Sequence, residues 1–249
     1  MPDSRQHRGP HPQDLGLFDD QHRQALRSAT EDLSWLLSRG YALTSCLKLV
    51  GDRYRLRARQ RLAVARCACS DEARKRRRRN QIQSCDLAGG ELWIDGYNVL
   101  TSIEAALAGG VILCARDGCF RDMASMHGSY RKVAETLPAL QLLAERLSDW
   151  KVARCCWYLD APVSNSGRLK TLIEGIAEQW GACWEVKLVA DPDPILATAD
   201  QTVASADSQI LDVAPRWFNL ARRVIEEQIE GAWIVDLSSP GKATVSKQP

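Results

Sequence analysis

Apolar residues recur along this chain with two different periods. Leu26, Ala29, Leu33, Leu36 and Leu37 return at three- and four-residue steps, the spacing of one helix face. That stretch, residues 15–39, stops at Gly40. A second short helix is expected through Leu47, Leu49 and Val50, capped by Thr44 or Ser45 and broken at Gly51-Asp52. A third is expected from about residue 55 to 67, with Leu56, Leu62 and Ala65 inward. From residue 91 the period changes. Short apolar runs at 92–94, 111–114, 152–159, 184–189 and 202–206 read as strands, with an edge strand at 233–235. Helical patterns at 99–107, 135–150, 167–180, 208–213 and 222–229 separate them. Buried parallel strands are near-continuously apolar, and strands alternating with helices predict a mostly parallel sheet covered on both faces. Residues 116–131 are polar and hold neither period, the mark of a functional loop.

Charge divides the chain at the same place. Residues 1–90 hold 18 Lys and Arg against 10 Asp and Glu, and residues 91–249 hold 15 against 21. Twelve positive charges fall between Arg53 and Arg79, the last four being Arg76, Arg77, Arg78 and Arg79. Such a run offers phosphate neutralisation, so nucleic acid is the expected partner; the plainer reading is a solvated helix face. The expected organisation is a disordered tail (1–14), a small basic all-α domain (15–80), a linker ending in Gly-Gly (81–90), an α/β domain (91–238) and a second disordered tail (239–249).

The chain has 249 residues, 45% hydrophobic and 26% charged, enough to bury a core. No apolar run is long enough to span a bilayer, and the first twenty residues hold no apolar signal core. A cytoplasmic protein is expected, without a membrane partner; a homo-oligomer is compatible with the sequence. Nine cysteines in irregular spacing, with no CxxC pair, read as structural thiols rather than zinc ligands.

Three segments repeat one grammar of apolar strand, Asp, turn and helix: Trp93-Ile94-Asp95-Gly96, Tyr158-Leu159-Asp160-Ala161, and Ser205-Ala206-Asp207-Ser208. In a parallel sheet all three aspartates leave at one edge, where ligands bind. Clustered carboxylates repel unless they share a proton or a cation. The cation suited to oxygen ligands is Mg2+ or Mn2+, which can also activate water. The competing reading makes Asp95 a helix cap. Only His127 lies in the second region among four histidines, and there is neither HExxH nor a Gly-rich phosphate loop. Metal-assisted hydrolysis is therefore the chemistry the residues can supply.

The segment WIDGYNVL resembles the first-strand motif of the PIN/NYN superfamily of metal-dependent ribonucleases, and LDAPVS and ASADS resemble its later acidic strand ends. Over residues 17–237 the chain also resembles an uncharacterised prokaryotic family that joins an N-terminal domain of unknown function 434 to a PIN-like domain. LSRGY, LVGDRYRL, DGYNVL, the spaced RDG, RD and GSYR of residues 116–131, and LDAPVSNSG carry that likeness. The resemblance implies a PIN-like, Rossmannoid α/β fold. It makes Asp95, Asp160 and Asp207 metal ligands, with Asn98 supporting Asp95 and Asp122 as the nearest candidate for a middle-helix acid. Arg121, Tyr130 and Arg131 are candidates to position a backbone. Ser164 and Ser208 are candidates for phosphate or water binding, or for helix capping. The implied activity is hydrolysis of RNA. Its rivals are a nucleic-acid-binding or regulatory protein that does not cut, and a phosphatase acting on a small ester, which would not need the arginine run.

Overall fold

The computed structural model describes residues 7–124 and 130–238. The remainder of the two expected tails, 1–6 and 239–249, and the centre of the expected loop, 125–129, lie outside the described residues.

Five strands form one parallel sheet in the order β5-β4-β1-β6-β7. They are β1 (Glu91–Asp95), β4 (Arg154–Asp160), β5 (Trp184–Val189), β6 (Thr202–Ala204) and β7 (Trp217–Phe218). Every pairing in it is parallel. β1 is central, with Ile94 beside Trp157 on one side and Ala204 on the other. Side chains alternate across the sheet. Leu92, Ile94, Trp157 and Leu159 face one core, under helices α6 (Gly96–Leu107), α7 (Thr136–Asp149), α8 (Ser166–Trp180) and α11 (Leu220–Gln228). Cys156, Tyr158 and Val203 face a smaller core closed by α9 (Pro192–Ala197) and α10 (Ser208–Leu211). Helices therefore cover both faces. Among the described residues no helix is long and apolar enough to cross a membrane.

A second sheet, in the order β3-β2-β8, is made of β2 (Ile112–Cys114), β3 (Phe120–Asp122) and β8 (Ile234–Asp236). β2 pairs antiparallel with β3 and parallel with β8. The expected strand at 111–114 thus leaves the main sheet, and the expected edge strand at 233–235 joins it there. Part of the expected irregular stretch is strand β3.

The N-terminal region folds into α1 (Asp14–Leu17), α2 (Asp20–Leu37), α3 (Leu43–Arg53), α4 (Ala58–Cys67) and α5 (Asp71–Asn80). Gly51-Asp52 does not break α3, and the arginine run is itself the helix α5, capped by the Ser70 hydroxyl on the Ala73 amide. Leu26, Leu33, Val50 and Val64 pack in one core with Leu113, Val235 and Leu237 of the second sheet. Ile112 and Phe120 of that sheet face the main core, so β2 is shared between the two. Residues 81–90 are packed rather than free. Ile82 donates to the Trp217 carbonyl at 2.9 Å, and Leu87 is buried. Residues 7–14 are likewise held. The buried Asp14 carboxylate accepts from Arg59 at 2.7 and 2.9 Å, and Arg8 pairs with the fully buried Glu104. All nine cysteines are free thiols, seven of them buried.

Candidate functional site

Connections leave β1 and β6 toward opposite sides of the sheet, which opens a crevice beyond their carboxyl ends. Asp95 ends β1 there. Gly96 follows because nothing larger fits: a Cβ at 96 would stand 2.5 Å from Leu159 Cδ2 and 3.1 Å from the Tyr158 carbonyl oxygen. That close approach turns the chain into α6 and brings Asn98 into the same opening. Across the crevice, the Ser205 hydroxyl donates to Asp95 Oδ2 at 2.7 Å and accepts from the Asp207 amide at 2.9 Å. Asn98 Oδ1 accepts from the Ala206 amide at 2.8 Å. Asp95 stands at the N-cap of α6, yet its side chain makes no capping hydrogen bond. Asp207 is the capping carboxylate, accepting from the Gln209 amide at 2.7 Å.

A cleft of about 740 Å³ is lined by Asp95, Asn98, Asp122, Asp160, Asp193 and Asp207, with Arg66, Arg121 and Ser208 also on its wall. Asp193, in the first turn of α9, is the acid that sequence reasoning missed. Its signal was the Asp-Pro-Asp end of the strand at 184–189, where Asp191 takes the cap (3.1 Å from the Asp193 amide) and Asp193 faces the cleft. Among the described residues no Lys or Arg forms an ion pair with Asp95, Asp160, Asp193 or Asp207. Burial, helped by the charges of Asp193 and Asp207, raises Asp95 to about 7 against the opposing pull of the Ser205 hydroxyl and the Asn98 backbone N–H. Burial also raises Asp160, helped by Asp191. Asp193 is raised by partial burial and by Asp207, Asp191 and Asp160. Tyr97 lines the same cleft with a buried hydroxyl that has no hydrogen-bond partner among the described residues. Burial and Asp160 raise it to about 12.

Of the other expected site residues, Asp122, Arg121 and Ser208 line the same cleft but have partners of their own. Asp122 reaches the cleft from strand β3, not from a helix. Its carboxylate accepts from Ser102 (2.8 Å), Thr101 (3.3 Å) and the Ala124 amide (2.7 Å), with Arg66 at 3.9 Å. Arg121 is buried and spends its guanidinium on Asp117 (3.0 and 2.8 Å) and the Ala206 carbonyl (2.8 Å). Arg77 is also buried, held by Asp117 (2.6 Å) and Asp212 (2.9 Å), and Arg76 shares Asp212. Burial alone would raise Asp117, but Arg121 and Arg77 outweigh it and hold the carboxyl well below the usual range. Arg77 is therefore an internal tie, Arg121 is tied at the cleft wall, and Arg76 is a half-buried tie. Arg78 and Arg79 of the same run are exposed. Ser208 Oγ lies 3.3 Å from Arg77 and 3.5 Å from Arg121. Tyr130 is buried, donating to Glu104 at 2.5 Å. Ser164 is exposed outside the cleft, and Arg131 is exposed beside a separate groove along α8.

The residues fit a hard cation in donor type and in uncompensated charge. They are spread along the cleft rather than gathered, since among the described residues no three His, Cys, Asp or Glu side chains form a metal-holding group.

Sequence comparison matches residues 84–223 to the model described as Domain of unknown function (DUF5616), and residues 25–80 to Protein of unknown function (DUF434). The chain belongs to the DUF5616 family. Its DUF434 segment spans most of α2 to α5, and its DUF5616 segment carries every cleft acid named above. An uncharacterized protein of Methanocaldococcus jannaschii, MJ0935, is 33% identical over 187 residues, covering 75% of this chain and 89% of that protein. No solved structure matches the chain.

Proposed function

We propose that the DUF5616 segment is a PIN/NYN-like, metal-dependent ribonuclease. The observation that carries this reading is the set of four carboxylates, Asp95, Asp160, Asp193 and Asp207, lining one cleft at the carboxyl edge of a parallel sheet; among the described residues none of them is in an ion pair, and the two arginines of the same lining, Arg66 and Arg121, are engaged elsewhere. A bound Mg2+ or Mn2+ would supply positive charge to these oxygens and to a phosphate, and would lower the pKa of a water. Asp95 is pre-aimed by Ser205. Asn98 uses Oδ1 on the Ala206 amide, which leaves its Nδ2 for a ligand. The unpartnered Tyr97 hydroxyl is a further donor. In the reaction a water oxygen attacks phosphorus, the bond from phosphorus to the leaving oxygen breaks, and the leaving oxygen takes up a proton.

The dispersal of the acids supports one rival, a nucleic-acid-binding protein that does not cut. A cleavage assay separates the two. The purified chain, incubated with labelled single-stranded RNA, is expected to shorten it with Mn2+ or Mg2+ and not with EDTA. Asp95→Asn should slow the reaction by at least about a hundredfold. RNA that stays intact in either metal would leave the binding-protein reading.

A further inference from the structure

An acidic cleft repels the polyanion it is proposed to cut, so affinity for the strand has to come from elsewhere on the surface. Between α7 and α8 lies an open groove of about 1070 Å³, at the upper end of the roughly 300–1,000 Å³ typical of ligand sites. Its character is opposite to that of the cleft. Arg131, Lys132 and Arg168 line it, and among the described residues no Asp or Glu does, within a region that holds 21 acids against 15 bases. Lys132 and Arg168 are exposed, and among the described residues neither forms an ion pair with a carboxylate. Leu137 and Leu172 add apolar surface, and Gln179 also lines the groove.

Gly175 belongs to this groove too. Glycine inside a helix is destabilising relative to alanine, and here packing does not require it, because a Cβ at 175 would meet nothing within 4 Å. A side chain much larger than a methyl group at this position would project into the groove.

The groove adjoins the cleft. Tyr130 lines the groove and Tyr97 lines the cleft, with ring centroids 5.2 Å apart. α8 follows Asp160 of β4, so its first turn stands at the edge where the aspartates emerge. From Arg168 to Gln179 the helix runs about 16 Å away from that edge.

We propose that this groove is the binding path for single-stranded nucleic acid entering the acidic cleft. Lys132 and Arg168 take backbone phosphates, and Leu137 and Leu172 lie against base faces. The proposal rests on the nuclease reading for the identity of the strand, and its test is independent of cleavage.

The test is fluorescence anisotropy of a short labelled single-stranded RNA with the full chain in EDTA, over a range of salt. Gly175→Trp fills the groove and should raise Kd by roughly tenfold. Gly175→Ala adds one methyl group to open space and should bind as wild type. Lys132→Ala with Arg168→Ala should lower the slope of log affinity against log salt by about 1.4, or about 0.7 for each lost phosphate contact. Melting curves confirm that the variants are folded; if Gly175→Trp does not fold, the Lys132/Arg168 pair decides. Wild-type affinity and slope in the folded variants overturn the groove, as does a wild-type chain that binds no RNA. Groove-dependent binding of an acidic peptide in place of RNA also overturns it. Binding that depends on the groove, with no cleavage in any metal, supports the groove and removes the nuclease reading instead.

Discussion

Asp95 destabilises the cation-free fold, and the pH at which it does so follows from its surroundings. Its folded value is about 7 against an ordinary 3.8. Below about pH 4 the carboxyl is protonated in both the folded and unfolded chains, and there is no penalty. As pH rises from about 4 to 7 the unfolded chain ionises first, so this contribution to stability falls; above 7 it is constant. Asp95→Asn should stabilise the cation-free protein by about 1–3 kcal/mol at pH 8 and by little at pH 4. Urea unfolding at the two pH values in EDTA measures this, and equal stabilities at pH 8 would contradict it. Tyr97→Phe removes a buried hydroxyl that has no partner, and should raise stability by about 1 kcal/mol; a loss of that size would mean the hydroxyl has a partner in solution. Asp95, Asp160 and Asp207 were legible in the sequence because each follows an apolar run directly. Asp193 was obscured because Asp191 and Pro192 stand between it and its strand. The tie from Ser205 to Asp95 spans 110 positions, and no local pattern marks it.

Helix α5 shows how an element can combine two functions that composition merges into one. Its arginines read as a uniform basic run, yet Arg77 is buried in the Asp117–Asp212 ion network while Arg74, Arg78 and Arg79 face solvent. Its partner Asp117 lies 40 positions away, so nothing in the run distinguishes Arg77. Arg77→Ala leaves Asp117 short of a buried partner and should cost about 3–5 kcal/mol. Arg78→Ala and Arg79→Ala should stay within about 0.5 kcal/mol. Chemical denaturation compares the three, and equal effects would place Arg77 at the surface. The same physics explains which strands were legible. β1 and β4 are apolar runs buried between two helical layers, and the edge strand β5 keeps a shorter apolar run that is only partly buried. β3 carries Arg121 and Asp122, both buried, and its burial depends on ion pairs and hydrogen bonds made by distant residues. A short strand of that composition reads as loop.

The two regions that charge separates are joined by packing. The helical part buries Leu26, Leu33 and Val64 against Leu113, Val235 and Leu237, and residues 81–90 carry a bridge to Trp217. Calorimetry of the full chain should therefore show one transition with equal calorimetric and van't Hoff enthalpies. Residues 84–238 produced alone should expose that apolar face and bind a hydrophobic dye, whereas two separate transitions would mean independent domains. Acidic strand ends show one edge of a sheet in the sequence, but a core shared between distant segments leaves no periodic trace. At this scale the basic helical part and the acidic cleft form one molecule, and the proposed chemistry depends on the cleft holding a cation. Calorimetric titration of Mn2+ into the wild-type chain and into Asp95→Asn tests that most directly. Saturable binding by the wild type, lost or strongly weakened in Asp95→Asn, is the predicted result; no binding by the wild type, or equal binding by both, would contradict it.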